Sequence, residues 1–442
     1  MADGDQSAKR VKPGMEDQGN IHAEATTPSY ILTRDATDRN TFNEAVWGRV
    51  FNHRRDTNRI PIAVAQASCV AHVREAVELA NSKQCRVSVR SGGHSWAAWS
   101  VRQDAILVDL AELQHMAYDK KTKIVSCSPS ATGEQLNDFL KVEGRMFAGG
   151  HCPDVGLGGF LLQGGRFPAI VTSFHLLTRP FLQMYNCVYV YPQSMFRTVF
   201  QWVIDICPTA DPETEIVCLA KRTSDGNDIE IVAGFLSFKP SKEEAEKAMR
   251  RVHDSRPAGA KVEIFCEPTD FACQYAGQRE EQPTGHRFCS ENAYIDNDAD
   301  DVPGVLEKAF TSLPTQKSFA LYFSMNPTSR RPLPDMAHSM QSDHYFALYT
   351  IWDDATDDAQ CTGWVHDIMK DVQRHSAGSY MGDADFQHRT TRFWSRENGE
   401  RLRDVRRKWD PEGRICGYLD ADDSSGVQGL KNEFEWVDKT DE

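Results

Sequence analysis

The chain has 442 residues, 64 acidic against 50 basic side chains and a formal net charge of -14. That length exceeds one ordinary core and fits two domains or one large split domain with an insertion, and the acidic balance argues against a nucleic-acid surface. No run approaches the roughly 18 uninterrupted apolar residues of a membrane span. The polar stretch Met1 to Asn20 also lacks the apolar region of a signal peptide, so the expectation is a cytoplasmic protein with no membrane partner. Twelve scattered cysteines without a C-x-x-C pair read as free thiols of a reducing compartment.

Residues 1–27 lack hydrophobic periodicity and read as a disordered leader. Ile62 to Ala65 predicts a short buried strand. Val70, Val73, Val77 and Ala80 recur at helical spacing between Cys69 and Ser82. Arg86 to Arg90 alternates as a strand and runs into the turn at Gly92 and Gly93. Ala105 to Leu110 and Ile124 to Cys127 predict further strands, and Thr132 opens a helix carrying Leu136, Phe139 and Leu140.

Beyond Gly165, Arg166 to His175 reads as strand-like. A different rhythm begins at Gln183, with strands at Met184 to Tyr191, Glu215 to Ala220 and Asp228 to Phe238, the last two joined by a turn at Ser224 to Asn227. Helices are predicted at Met195 to Ile206, from the Ser241 capping box to His253, at Val302 to Leu313 and at Asp358 to His375. Further strands fall near Val262 to Phe265, Phe288 to Ile295, Phe319 to Met325 and His344 to Trp352. The expected class is α+β: a first domain over 28–180, an antiparallel sheet backed by helices over 181–370, a return to the first domain over 371–425 and an acidic tail over 426–442.

The stretch Gly149 to Gly165 holds seven glycines, which do not suit a helix or strand interior because glycine loses most entropy on ordering. Without Cβ atoms the main chain can approach a ligand closely and aim N–H groups at anionic oxygens. Cys152 sits in its middle. Arg90-Ser91-Gly92-Gly93-His94-Ser95 is a second such site, with a histidine in the cysteine's place.

A thiolate and an imidazole held against a ring edge by such backbone suit covalent attachment of a flavin. The residues alone leave other readings open. His94 also reads as a loop histidine with a satisfied hydrogen bond, and His151-Cys152 as half a metal site without a second half. Gly156-x-Gly158 looks like a fragment of a dinucleotide fingerprint, but Leu161 occupies the third glycine's place.

Arg90 to Ser95 together with Gly149-Gly150-His151-Cys152-Pro153-x-Val155-Gly156-x-Gly158-Gly159 resembles the paired attachment motifs of the berberine-bridge-enzyme-like FAD-linked oxidases of the vanillyl-alcohol-oxidase superfamily. The fungal members similar to 6-hydroxy-D-nicotine oxidase are nearest. The resemblance runs from about Thr41 to Asp420 and implies a two-subdomain PCMH-type FAD-binding domain with a substrate domain. It implies FAD bound covalently through His94 and Cys152, with Arg90, Ser91, Gly92, Gly93 and Ser95 cradling the pyrophosphate. It also implies cofactor contacts from Gly150, Val155, Gly156, Gly158, Gly159, Ile170 and Val171, and it places Tyr380 near the flavin as the candidate catalytic group.

The activity implied is hydride removal from a small alcohol, amine or secondary-metabolite ring system, with electrons passing to O2. A flavin dehydrogenase that does not use O2, and a non-catalytic member that fails to hold FAD, are the alternatives. No metal is implied.

One departure stands out. Gly165 meets Arg166-Phe167-Pro168 where the family continues through further strands and a helix, so on the order of fifty residues are missing and the second subdomain is expected to be incomplete. On the substrate side, Tyr322, Tyr345 and Tyr349 are candidate pocket walls, although strand tyrosines also serve as core. Asp383 and Asp385 read equally well as turn residues.

Overall fold

Short runs of aliphatic residues build the first sheet. A computed structural model describes residues 28–162, 168–326, 328–332, 334–385, 389 and 391–417. The expected leader, the acidic tail and the Gly165/Arg166 junction lie outside the described residues. In the first sheet Ala63–Gln66, Ile106–Asp109 and Val87–Arg90 run parallel in that spatial order, with Ile31–Thr33 antiparallel at the edge. Parallel strands are covered on both faces. The helix Val70–Ser82 packs through Val73, Ala76 and Ala80, whereas Val70, expected on the same stripe, is half exposed at its first turn. A helix not read from the sequence, Arg39–Trp47, covers the other face through Phe42 and Val46.

The second sheet has three antiparallel strands, Met116–Asp119, Ile124–Cys127 and Phe174–Leu177. The helix Gly133–Lys141, opened by a reciprocal Thr132/Gln135 capping box, buries Leu136 and Leu140 against Val125 and Cys127. Of the strand expected over Arg166 to His175, the described residues from 168 onward pair only from Phe174, where Phe174 to Leu177 find partners on Ile124–Cys127. Ile170 and Val171 lie before it, outside any strand, and Ile170 packs on the core of the first sheet.

The third sheet has eight antiparallel strands, among them Gln183–Pro192, Thr214–Arg222, Ile229–Lys239, Arg287–Ile295, Phe319–Ser324 and His344–Trp352. The hairpin between Thr214–Arg222 and Ile229–Lys239 turns on Gly226 at φ +75°, where a side chain would be strained. One face is packed by the helices Phe196–Ile206, Lys242–Ser255, Val302–Thr311 and Asp358–Val372, with Phe196, Val199, Phe200 and Val203 turned inward as expected. The opposite face carries Leu219, Phe288, Tyr294, Phe319, Tyr345 and Tyr349 and turns toward the glycine-bearing segments.

Tyr322 is not a pocket wall. Register pairs it with Phe346, which places it on the helix side, where it packs on Phe200 with ring centroids 4.8 Å apart and its hydroxyl lies 2.8 Å from His344 Nδ1. Past the last strand, Ser376–Gly378, the helix Arg396–Trp409 returns the chain to the first sheet, where the Val87 N–H donates to Arg414 O at 2.7 Å and the Cys416 N–H to Val87 O at 2.8 Å.

Candidate active site

The two glycine segments meet. A Cβ on Gly92 would lie 2.5 Å from the Gly156 nitrogen, and one on Gly158 would lie 2.8 Å from Ser91 Oγ. A side chain at Gly92 would have to displace main chain, and one at Gly158 would have to displace the Ser91 side chain. The expectation that the stretch avoids helix is corrected in part, since Leu157–Leu162 forms a short helix containing Gly158 and Gly159. Gly158 allows its first turn to press on Ser91, while a Cβ on Gly159 would meet nothing within 4 Å.

Among the described residues, no hydrogen bond is donated by the main-chain N–H groups of Ser91, Gly92, Gly93, His94 or Ser95. Five consecutive unclaimed donors, with Gly93 at φ +84°, form a concavity suited to anionic oxygens. The loop is fixed from behind. Arg90 is fully buried, with its guanidinium on Asp109 Oδ2 at 2.6 Å and on the carbonyls of Val46 and Ala45 at 2.5 Å. Its main chain belongs to the strand ladder and its side chain is a strut, so the free donors begin at Ser91. Arg49 pairs with Asp109 and donates to Ser91 O at 2.6 Å.

The His94 ring stacks on Phe51 with centroids 4.6 Å apart, and burial pushes its pKa down to about 4, so the imidazole is neutral at physiological pH. Phe51 leads through Trp96 to Tyr349, joining the histidine loop to the tyrosine face of the third sheet. Cys152 points its thiol at Gln282 Oε1, 3.4 Å away. Burial first, then the carboxylates of Asp383, Asp154 and Glu281, push that thiol up to about 12. Arg279 pins the segment by bonding both Asp154, at 2.9 and 2.7 Å, and Glu134.

Opposite lies a wall that includes the expected Tyr345 and Tyr349 together with His151, Phe323 and Glu215, which the sequence pattern did not place there. His151 stacks on Phe323 at 5.1 Å, and its Nε2 lies 2.7 Å from Glu215 Oε2, which raises the histidine's pKa. The Tyr345 hydroxyl donates to Asp383 Oδ2 at 2.7 Å, with Tyr349 close to the same carboxylate. Tyr380, the expected catalytic group, is held at both its main-chain N–H and its carbonyl by Asn292, each at 2.7 Å, and its ring sits edge-on to His338. Asp385 is a structural ion-pair partner of Arg54. Among the described residues no group of His, Cys, Asp and Glu could hold a metal.

The fold sets two contacting glycine-rich loops beside a tyrosine-bearing sheet face, an arrangement of the dinucleotide-binding class. The FAD binding domain family matches residues 61–169. The chain is 32% identical to the FAD-linked oxidoreductase janO of Penicillium janthinellum, over 89% of this chain and 98% of that one. Its fold is similar to Physcomitrella patens BBE-like 1, with a TM-score of 0.73 at 14% identity over 92% of this chain and 97% of the other. The fold is likewise similar to 6-hydroxy-D-nicotine oxidase of Arthrobacter nicotinovorans, with a TM-score of 0.71 at 14% identity over 87% and 95%. The chain belongs to the FAD-linked oxidoreductases.

The alignment with janO runs over 445 positions while taking in 89% of this chain, so about fifty positions of that relative have no counterpart here. No described helix is long and apolar enough to cross a membrane.

Proposed function

We propose that this FAD-dependent oxidoreductase is an oxidase of a small alcohol, amine or ring-bearing secondary metabolite, with FAD tethered at His94 and Cys152. The observation that carries this reading is the meeting of two loops at Gly92 and Gly156, one offering five free N–H donors and a neutral imidazole, the other a thiol. When bound, FAD supplies two-electron chemistry, accepting a hydride from carbon and passing the electrons to O2. The residues supply the rest. Ser91 to Ser95 offer amides to the pyrophosphate, and Gly156 holds the cysteine loop against them. Tyr345, Tyr349 and Phe323 form an apolar wall for the substrate, and the turn from Tyr380 to Asp383 brings the groups able to take its proton.

The visible spectrum of the purified protein and peroxide release on aerobic turnover test this. Oxidised-flavin bands with peroxide support the oxidase. Flavin that stays reduced in air for minutes supports a dehydrogenase instead. A colourless protein supports a non-catalytic member, the reading favoured by the positions lacking a counterpart.

A further inference from the structure

Asp383, which reads in the sequence as a possible turn residue, accepts the Tyr345 hydroxyl from the tyrosine wall. It closes the one-turn segment Met381–Asp383. That segment is fixed on the strand Arg287–Ile295 by Asn292 at Tyr380, by Ser290 Oγ donating to Asp383 O at 2.9 Å, and by the Asp385 N–H donating to Ser290 O at 2.6 Å. Four main-chain anchors over six residues leave the carboxylate little freedom. Its Oδ2 receives the Tyr345 hydroxyl, and Tyr349, two pleat repeats further along the same strand face, stands near the same carboxylate. Both tyrosines are 4% exposed, so their hydroxyl bonds face little competition from water.

We propose that Asp383 is the proton acceptor of this enzyme and that Tyr345 and Tyr349 position its carboxylate. The assignment rests on the oxidoreductase reading. In the step, a substrate O–H or N–H bond breaks and its proton passes to Asp383. The adjacent C–H bond gives its hydride to FAD, a C=O or C=N bond forms, and O2 takes the two electrons to become hydrogen peroxide.

The groups facing Asp383 are Tyr345 and Tyr349 from one strand, Tyr294 from the next, and His151 and Cys152 from the glycine segment. Burial raises the Asp383 pKa, and the two hydroxyl donors and the His151 charge pull it part of the way back. A carboxylate raised above its usual range is a stronger base in its ionised form. Tyr380 lies beside it with its ring folded over Gly382, its hydroxyl 2.5 Å from where a Cβ would stand.

The test is an infrared titration of protonated carboxyl groups in wild-type protein, Asp383→Asn and Tyr345→Phe. The expected result is a carboxyl band with a midpoint above the ordinary aspartate range that is missing in Asp383→Asn. Its midpoint should move to higher pH in Tyr345→Phe, because that variant loses a donor to the charged form. A band unchanged by Asp383→Asn, or a midpoint unmoved by Tyr345→Phe, overturns the assignment, and the second variant serves if the first does not fold.

The titration needs no flavin, so a wild-type protein without flavin counts against the oxidoreductase reading and is told apart from failure of this one. Where benzyl or cinnamyl alcohol reduces the wild-type flavin, Asp383→Asn is expected to slow reduction by about 100-fold or more. A rate within about threefold of wild type overturns the assignment.

Discussion

Gly92 and Gly156 pack main chain on main chain, with a Cβ on Gly156 placed 2.7 Å from the Gly92 nitrogen and one on Gly92 placed 2.5 Å from the Gly156 nitrogen. The contact joins the histidine loop to the cysteine loop, so whatever fixes one fixes the other.

Alanine at either position must push backbone from backbone, because the atoms met are not the ends of flexible side chains. Gly92→Ala and Gly156→Ala are each expected to cost about 1–3 kcal/mol in thermal or denaturant unfolding and to lower flavin content. Gly159→Ala, in the same segment but with open space around it, should be neutral or stabilising by up to about 1 kcal/mol. Equal loss in all three would show that the contact is not what sets the cost.

The two tether residues differ in readiness. His94 is neutral at pH 7, whereas the Cys152 thiol is held protonated by burial and by facing carboxylates. Peptide mass spectrometry of flavin adducts should find Cys152→Ala still flavinylated at His94. It should find His94→Ala carrying much less covalent flavin, and the reverse pattern would contradict the ordering.

Much of the fold could be read because its signals are local. The Phe196, Val199, Phe200 and Val203 stripe and the alternation of Ile229 to Lys239 depend on neighbours in sequence. Tyr322 was misplaced because only register decides a strand's inward face, and register is set by partners far away. Pairing of Tyr322 with Phe346 puts it opposite in parity to Tyr345 and Tyr349. The glycine motifs marked His94 and Cys152, yet nothing local foretold that Gly92 would touch Gly156. Asp383 looked like a turn residue until the returning chain laid it under Tyr345.

Acid should weaken the flavin-free fold through His94. Its folded pKa is depressed from 6.5 to about 4, so below 6.5 the unfolded chain binds a proton that the folded chain does not, and stability falls as pH drops through that window. A loss on the order of 1–3 kcal/mol between those limits is expected, and it should shrink in His94→Gln. His151 acts with the opposite sign. Glu215 raises its pKa, so its contribution is complete below 6.5 and is lost as pH rises above it, an effect that His151→Gln should remove.

Arg279 links the helix Phe271–Glu281 to both Asp154 and Glu134, but its side chain is 44% exposed. Solvent screening limits such a pair, so Arg279→Ala should lower stability by no more than about 1 kcal/mol, an effect that fades in high salt. A loss that is both larger and independent of salt would point to packing instead.

Whether this chain, despite the positions it lacks, holds FAD covalently at the meeting of its two glycine loops is decided by acid precipitation of the purified protein. The expected result is a yellow pellet whose colour survives washing and maps to the His94 peptide. A colourless pellet, with or without flavin in the supernatant, would contradict the covalent attachment.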